Sequence, residues 1–174
     1  LFAMFRIIVL LTLLHFYQPV FSTEDTVSQG VARYLTRIHK YMEDEDWINA
    51  KRELEVTARR YFKNEDSYER ALINQLYGQF YALQRDYKNA TPWFEKAIAK
   101  GRLPFAADLQ VTYSLAQCYF QTGRYQDVIK TLENYRNKAE KRGQNMAPIQ
   151  LMLLGIAYYQ EQDILNAYAN MRSK

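Results

Sequence analysis

From Thr26 onward, apolar and polar positions alternate at the spacing of a helix that buries one side and wets the other. Tyr77 and Tyr81 fall one turn apart. After a polar interruption, Phe94, Ala97 and Ile98 take up the same spacing, so the expected unit is two helices joined by a tight turn. In each unit the first helix carries the tyrosine, and the second starts near the charged residue that precedes an aromatic.

That unit recurs. Asp46-Trp47-Ile48-Asn49-Ala50, Asp86-Tyr87-Lys88-Asn89-Ala90, Arg124-Tyr125-Gln126-Asp127-Val128 and Asp163-Ile164-Leu165-Asn166-Ala167 are one motif written four times, with their last residues 40, 38 and 39 positions apart. A second register keeps step, because Tyr41, Tyr81, Tyr119 and Tyr158 each stand nine residues before the end of their motif. A fixed period in this range signals a stack of helical hairpins, each needing its neighbours to bury its apolar face.

With those residues in place the chain resembles the tetratricopeptide repeat family. Gly78 with Tyr81, Ala116 with Tyr119 and Gly155 with Tyr158 match the small and aromatic pair of the family's first helix. Ala90, Phe94 and Ala97 match its second, as Ala50 with Leu54 and Ala167 with Met171 do in part. Ile38 and Val128 depart from the pattern, and the period exceeds the family's 34 residues. Longer connections at Gly101 to Pro104 and Gly143 to Pro148 account for the excess. The resemblance implies an all-α, tetratricopeptide-like α-solenoid of about four helix-turn-helix repeats, over residues 31–64, 71–104, 109–142 and 148–174, the last incomplete. Gly78, Ala90 and Gly155 are expected at close helix contacts that a larger side chain would push apart. Pro92 predicts a late helix start or a kink. The final hairpin, cut short at Lys174, is expected to leave an apolar side uncovered.

The segment before the repeats reads differently. Leu1 to Arg6 carry one positive charge, Ile7 to Phe16 are largely apolar, and Pro19-Val20-Phe21-Ser22 follow, which is the layout of a secretory signal peptide over residues 1–22 cut before Thr23. The alternatives are that Ile7 to Phe21 form an uncleaved membrane anchor or an ordinary buried helix. Leu1 is an unusual start, and Met4 offers another.

Composition narrows the chemistry. With 15% aromatic residues, 15 of them Tyr, and only 6 Gly and 4 Pro in 174 residues, the chain suits a single helical domain. A net charge of +4 is spread among interleaved acids and bases, which argues against nucleic acid. A single cysteine, Cys118, permits no intrachain disulfide, and its place in an apolar helical pattern predicts a buried small hydrophobe. His15 and His39 cannot build a histidine-pair metal site or a triad in a processed chain, and no phosphate loop or nucleophile elbow is written. Glu43-Asp44-Glu45-Asp46 lacks the alternation and central glycine of a calcium loop. His39 is expected on the surface or facing a groove. The reading is a non-enzymatic protein with no catalytic residue, no metal and no cofactor.

The resemblance implies that first helices line a concave groove for a peptide or helix of a partner protein. The positions resembling groove residues are Leu35, His39 and Met42, then Gln75 and Gln79, then Tyr113, Gln117, Phe120 and Gln121, and last Met152, Tyr159 and Gln160. Glutamine both donates and accepts, so such a groove suits a main chain with apolar side chains. The run from Glu43 through Lys130, with Leu153-Leu154-Gly155 and Tyr158-Tyr159, is similar to periplasmic repeat proteins of TonB-type energy-transducing systems, which implies a periplasmic scaffold with partners among those proteins. The alternatives are a membrane-anchored assembly protein of envelope or pilus biogenesis, or the repeat portion of a larger enzyme. No small-molecule substrate is expected, and membrane contact only through the first segment if it is uncleaved.

Overall fold

A computed structural model describes residues 29–61, 64 and 66–172, with side chains from 31–60, 64 and 66–162. The export signal expected over residues 1–22, and its cleavage, lie outside the described residues. Among the described residues seven helices follow in order: α1 (Gln29–Glu43), α2 (Trp47–Tyr61), α3 (Tyr68–Leu83), α4 (Tyr87–Ile98), α5 (Phe105–Gln121), α6 (Tyr125–Glu140) and α7 (Pro148–Arg172). The described residues contain no strand, and the fold is all-α and tetratricopeptide-like, as the repeats predict.

The three turns that join α1 to α2, α3 to α4 and α5 to α6 are copies of one geometry. The backbone N–H of Asp46, Asp86 and Arg124 donates to the carbonyl of Tyr41, Tyr81 and Tyr119 at 2.8, 2.9 and 2.9 Å, so the recurrent tyrosine is also the residue whose carbonyl closes the turn. One residue earlier, Glu45, Arg85 and Gly123 adopt φ of 55°, 62° and 73°, and each donates its N–H three residues back. This is the Schellman arrangement, which needs a left-handed residue at its corner.

Only the third turn has glycine there. For a residue with a Cβ the left-handed conformation costs about 1–2 kcal/mol. Glu45→Gly and Arg85→Gly are therefore each expected to raise stability, by up to about 1 kcal/mol after the added chain entropy of glycine. Urea midpoints at constant m measure it. A loss of stability in both variants would contradict the strain.

Asp46 and Asp86 then cap the helices that follow. Each accepts from the backbone N–H of the third residue on, Asn49 at 3.1 Å and Asn89 at 3.2 Å, and from the same asparagine's amide at 2.5 and 2.7 Å. These bonds favour the ionised form, and the carboxyl of Asp46 is held below its ordinary range. The cap fixes the start of α4 at Tyr87, so the late start expected from Pro92 does not occur. Pro92 stands in the helix interior on an exposed side, and Lys88, whose carbonyl loses its N–H partner to the proline ring, is exposed as well. Water can serve that carbonyl.

The chain forms two compact units, one ending at Val111 and one beginning at Thr112 within α5. In the first, Val31, Leu35, Ile38 and Met42 of α1, Ala50 and Leu54 of α2, and Ile73, Leu76 and Phe80 of α3 make one buried cluster. Trp47 meets Phe80 edge-on at 6.0 Å. Arg37 and Glu53 tie α1 to α2 with an ion pair of 2.6 Å. Behind this cluster α3 and α4 approach closely, and Gly78 is roofed by the ring of Phe94.

In the second unit Val128, Leu132, Tyr135 and Ala139 of α6 are buried, as are Leu153, Leu154 and Ala157 of α7. Gln150 organises their junction. Its amide donates to the Tyr135 hydroxyl at 2.9 Å and its Oε1 accepts from the N–H of Ala147 at 2.8 Å, closing the first turn of α7 from within.

The fourth repeat differs from the expectation of a second helix starting near Asp163. α7 is a single helix of 25 residues that runs through Gln162, the position equivalent to Glu45, Arg85 and Gly123. No glycine stands there, and Ile164 replaces the aromatic that opens α2, α4 and α6. Gly155, expected at a close helix contact, has no atom within 4 Å of the place a Cβ would occupy.

Candidate functional site

The twelve positions expected to line a groove separate into three groups. Leu35 and Met42 belong to the core cluster of the first unit, and Tyr113 and Gln117 are buried in α5. These four are corrected from groove to interior. α5 is interior over most of its circumference between Ala107 and Tyr119, so positions that an isolated hairpin would leave open are closed here.

The second group is half-buried: His39, Gln75, Gln79, Phe120, Gln121 and Gln160. Gln75 and Gln79 lie one turn apart on α3, and the amide oxygen of each is buried without a hydrogen-bond partner, as is Oδ1 of the neighbouring Asn74. A buried acceptor left unmade costs about 1–3 kcal/mol. In the second unit Nε2 of Gln121 is in the same position, and Phe120 meets Tyr125 edge-on at 5.6 Å. The third group, Met152 and Tyr159, is exposed on α7.

His39 is half-buried on α1, and not on the open surface. Burial lowers its pKa from 6.5, and Glu43 one turn later pulls weakly the other way. As pH falls below 6.5 the unfolded chain takes up the proton before the folded one does, so stability should decline through the interval down to the folded pKa and level off beneath it. His39→Gln should flatten that slope. Urea midpoints taken between about pH 5 and pH 8 test it, and an equal slope in the variant would exclude His39 as the cause.

Cys118 is buried, and desolvation pushes its thiol up to about 12, so it behaves as the small hydrophobe its pattern predicts. Among the described residues no group of three or more His, Cys, Asp or Glu could hold a metal ion, and no helix is long and apolar enough to cross a membrane.

Two further surface features stand out, the first of them without a sequence signal. Tyr77 and Trp93 stack at 4.3 Å and 18°, with the Lys96 ammonium 4.7 Å above the indole, a half-buried aromatic step between α3 and α4. Burial pushes the Tyr77 hydroxyl up to about 12. On α7, Leu151 (46% exposed) and Tyr158 (49%) join Met152 (41%) and Tyr159 (64%) in one apolar stripe around Gly155. The Tyr158 hydroxyl donates to Glu133 at 3.1 Å. The sequence pattern predicts an uncovered apolar side on the final hairpin and places Met152 and Tyr159 on an open face, but it does not bring in Leu151 and Tyr158.

Comparison with known proteins gives one family: the model described as anaphase-promoting complex, cyclosome, subunit 3 matches residues 83–147, from the end of α3 to the loop before α7. It is a tetratricopeptide-like repeat family, and it supports the repeat reading over the part it covers. No curated protein and no solved structure matches significantly.

Proposed function

We propose that this chain is a non-enzymatic scaffold that binds a partner protein through the partly exposed side of α3, with Gln75 and Gln79 reading the partner's main chain. The observation that carries it is the pair of unmade amide oxygens one turn apart. Turning either one out toward a partner's N–H breaks no bond inside the protein, so the whole gain of the new hydrogen bond goes to binding. The matched family, by its own description a subunit of a multi-protein complex, favours a scaffold.

Export, and a place among TonB-type envelope proteins as a periplasmic component, form the narrower reading. The signal-like layout of residues 1–22 supports the first and the resemblance of Glu43 to Lys130 the second. Mass measurement of the protein from its native source checks export, where a chain beginning at Thr23 is expected and an intact N-terminus would favour the anchored alternative.

Binding is tested by identifying the partner through pull-down with the full chain, then titrating Gln75→Ala/Gln79→Ala against the parent. The double variant should lose roughly tenfold in affinity, the loss of about 1.4 kcal/mol from two hydrogen bonds, with its melting unchanged or slightly raised. Parental binding should depend little on salt, since the contacts are amides. Equal affinities, or a steep salt dependence, would move the site away from α3.

A further inference from the structure

In the first unit the recurrent hairpin shows what covers the small residue of its first helix. Gly78 lies under the ring of Phe94, sixteen residues later on the returning helix, whose start is Asp86-Tyr87-Lys88-Asn89-Ala90. The same register places Met171 sixteen residues after Gly155, behind the matching start Asp163-Ile164-Leu165-Asn166-Ala167. The covering sequence is therefore present.

In a straight helix, however, sixteen residues extend about 24 Å, so Met171 cannot reach Gly155 of its own chain. α7 is straight through Gln162, where the other three hairpins bend. The face that awaits the returning helix stays open, with Leu151, Met152, Tyr158 and Tyr159 exposed around Gly155.

We propose that two copies of this chain pair by exchanging the second half of α7, so that residues 163–172 of one copy cover the Gly155 face of the other. Two α7 helices running antiparallel meet both requirements at once, because a two-fold axis near Gln162 sets Gly155 of each copy against Met171 of its mate. The opened hinge also spares Gln162 the left-handed conformation that Glu45 and Arg85 adopt at a cost. The interface takes a second copy in preference to an unrelated helix because the covering residue it needs is written sixteen residues further along the same chain. It rests on other residues than the α3 site and does not depend on it.

The test uses the full chain carrying Gly155→Cys and Met171→Cys, oxidised and run without reductant, with the linked peptides identified by mass. Buried Cys118 does not compete. A 155-to-171 link between two chains is expected, and coexpression of the two single variants should give the mixed dimer. A link within one chain means that the hairpin closes on itself and overturns the exchange, and absence of a link overturns it as well. Because cysteine at these positions could disturb the helix, sedimentation of the unsubstituted chain provides a second measurement. A mass of two copies that shifts toward one in Gln162→Gly, where glycine supplies the bend as Gly123 does, supports the exchange. A monomeric parent, or a dimer indifferent to Gln162→Gly, refutes it.

Discussion

Gly78→Leu is expected to destabilise the first unit by about 3 kcal/mol or more, enough to lower its melting temperature by roughly 6–12 °C for a chain of this size. A Cβ at this position would already lie 2.5 Å from the Phe94 ring, nearer than any relaxed carbon contact, and three further carbons follow it. Phe94 is fully buried and cannot swing aside without opening the layer between α3 and α4. Gly155→Ala supplies the control. There a Cβ meets nothing within 4 Å, and the helix gains about 0.5–1 kcal/mol from replacing glycine. Thermal melts followed by circular dichroism should move in opposite directions for Gly78→Leu and Gly155→Ala. Melting of Gly78→Leu at the parental temperature would mean that α3 and α4 do not touch through this residue.

The two glycines also mark how far the sequence could be read. Both stand three residues before the recurrent tyrosine, so pattern alone assigns them one role, and it holds for Gly78 only. What separates them is whether a helix comes back over them, and that is decided at the turn. Tyr41, Tyr81 and Tyr119 announced three turns correctly through a spacing that turns out to fix which carbonyl accepts the closing N–H. The fourth, at Tyr158, has the spacing without the bend. Burial of α5 was illegible for a related reason. Tyr113 and Gln117 carry polar groups that a helix can show to water or satisfy inside, and only the surroundings of α5 choose between them. The unmade oxygens of Gln75 and Gln79 have no sequence signature at all, since an amide's partners are set by tertiary neighbours.

Phe94→Ala should produce the largest loss of any single substitution considered, about 3–5 kcal/mol. Among the described residues Phe94 is the largest fully buried side chain, and its ring fills the space that the missing side chain of Gly78 leaves open. Truncation therefore removes the ring's transfer energy and leaves a cavity whose floor is backbone, which relaxes less readily than a flexible side chain. The neighbouring Pro92 and the cap at Asp86 hold the start of α4 in place and limit its collapse into the void. Adding Gly78→Ala to Phe94→Ala should restore part of the loss, because the new methyl group points into that cavity and also favours the helix. In the parent background the same methyl group clashes, so the effect of Gly78→Ala should change sign with residue 94. Urea denaturation of the four proteins in this cycle measures the coupling. Additive free energies would show that the Gly78 and Phe94 sites are independent, and the close approach of α3 and α4 would then need another explanation.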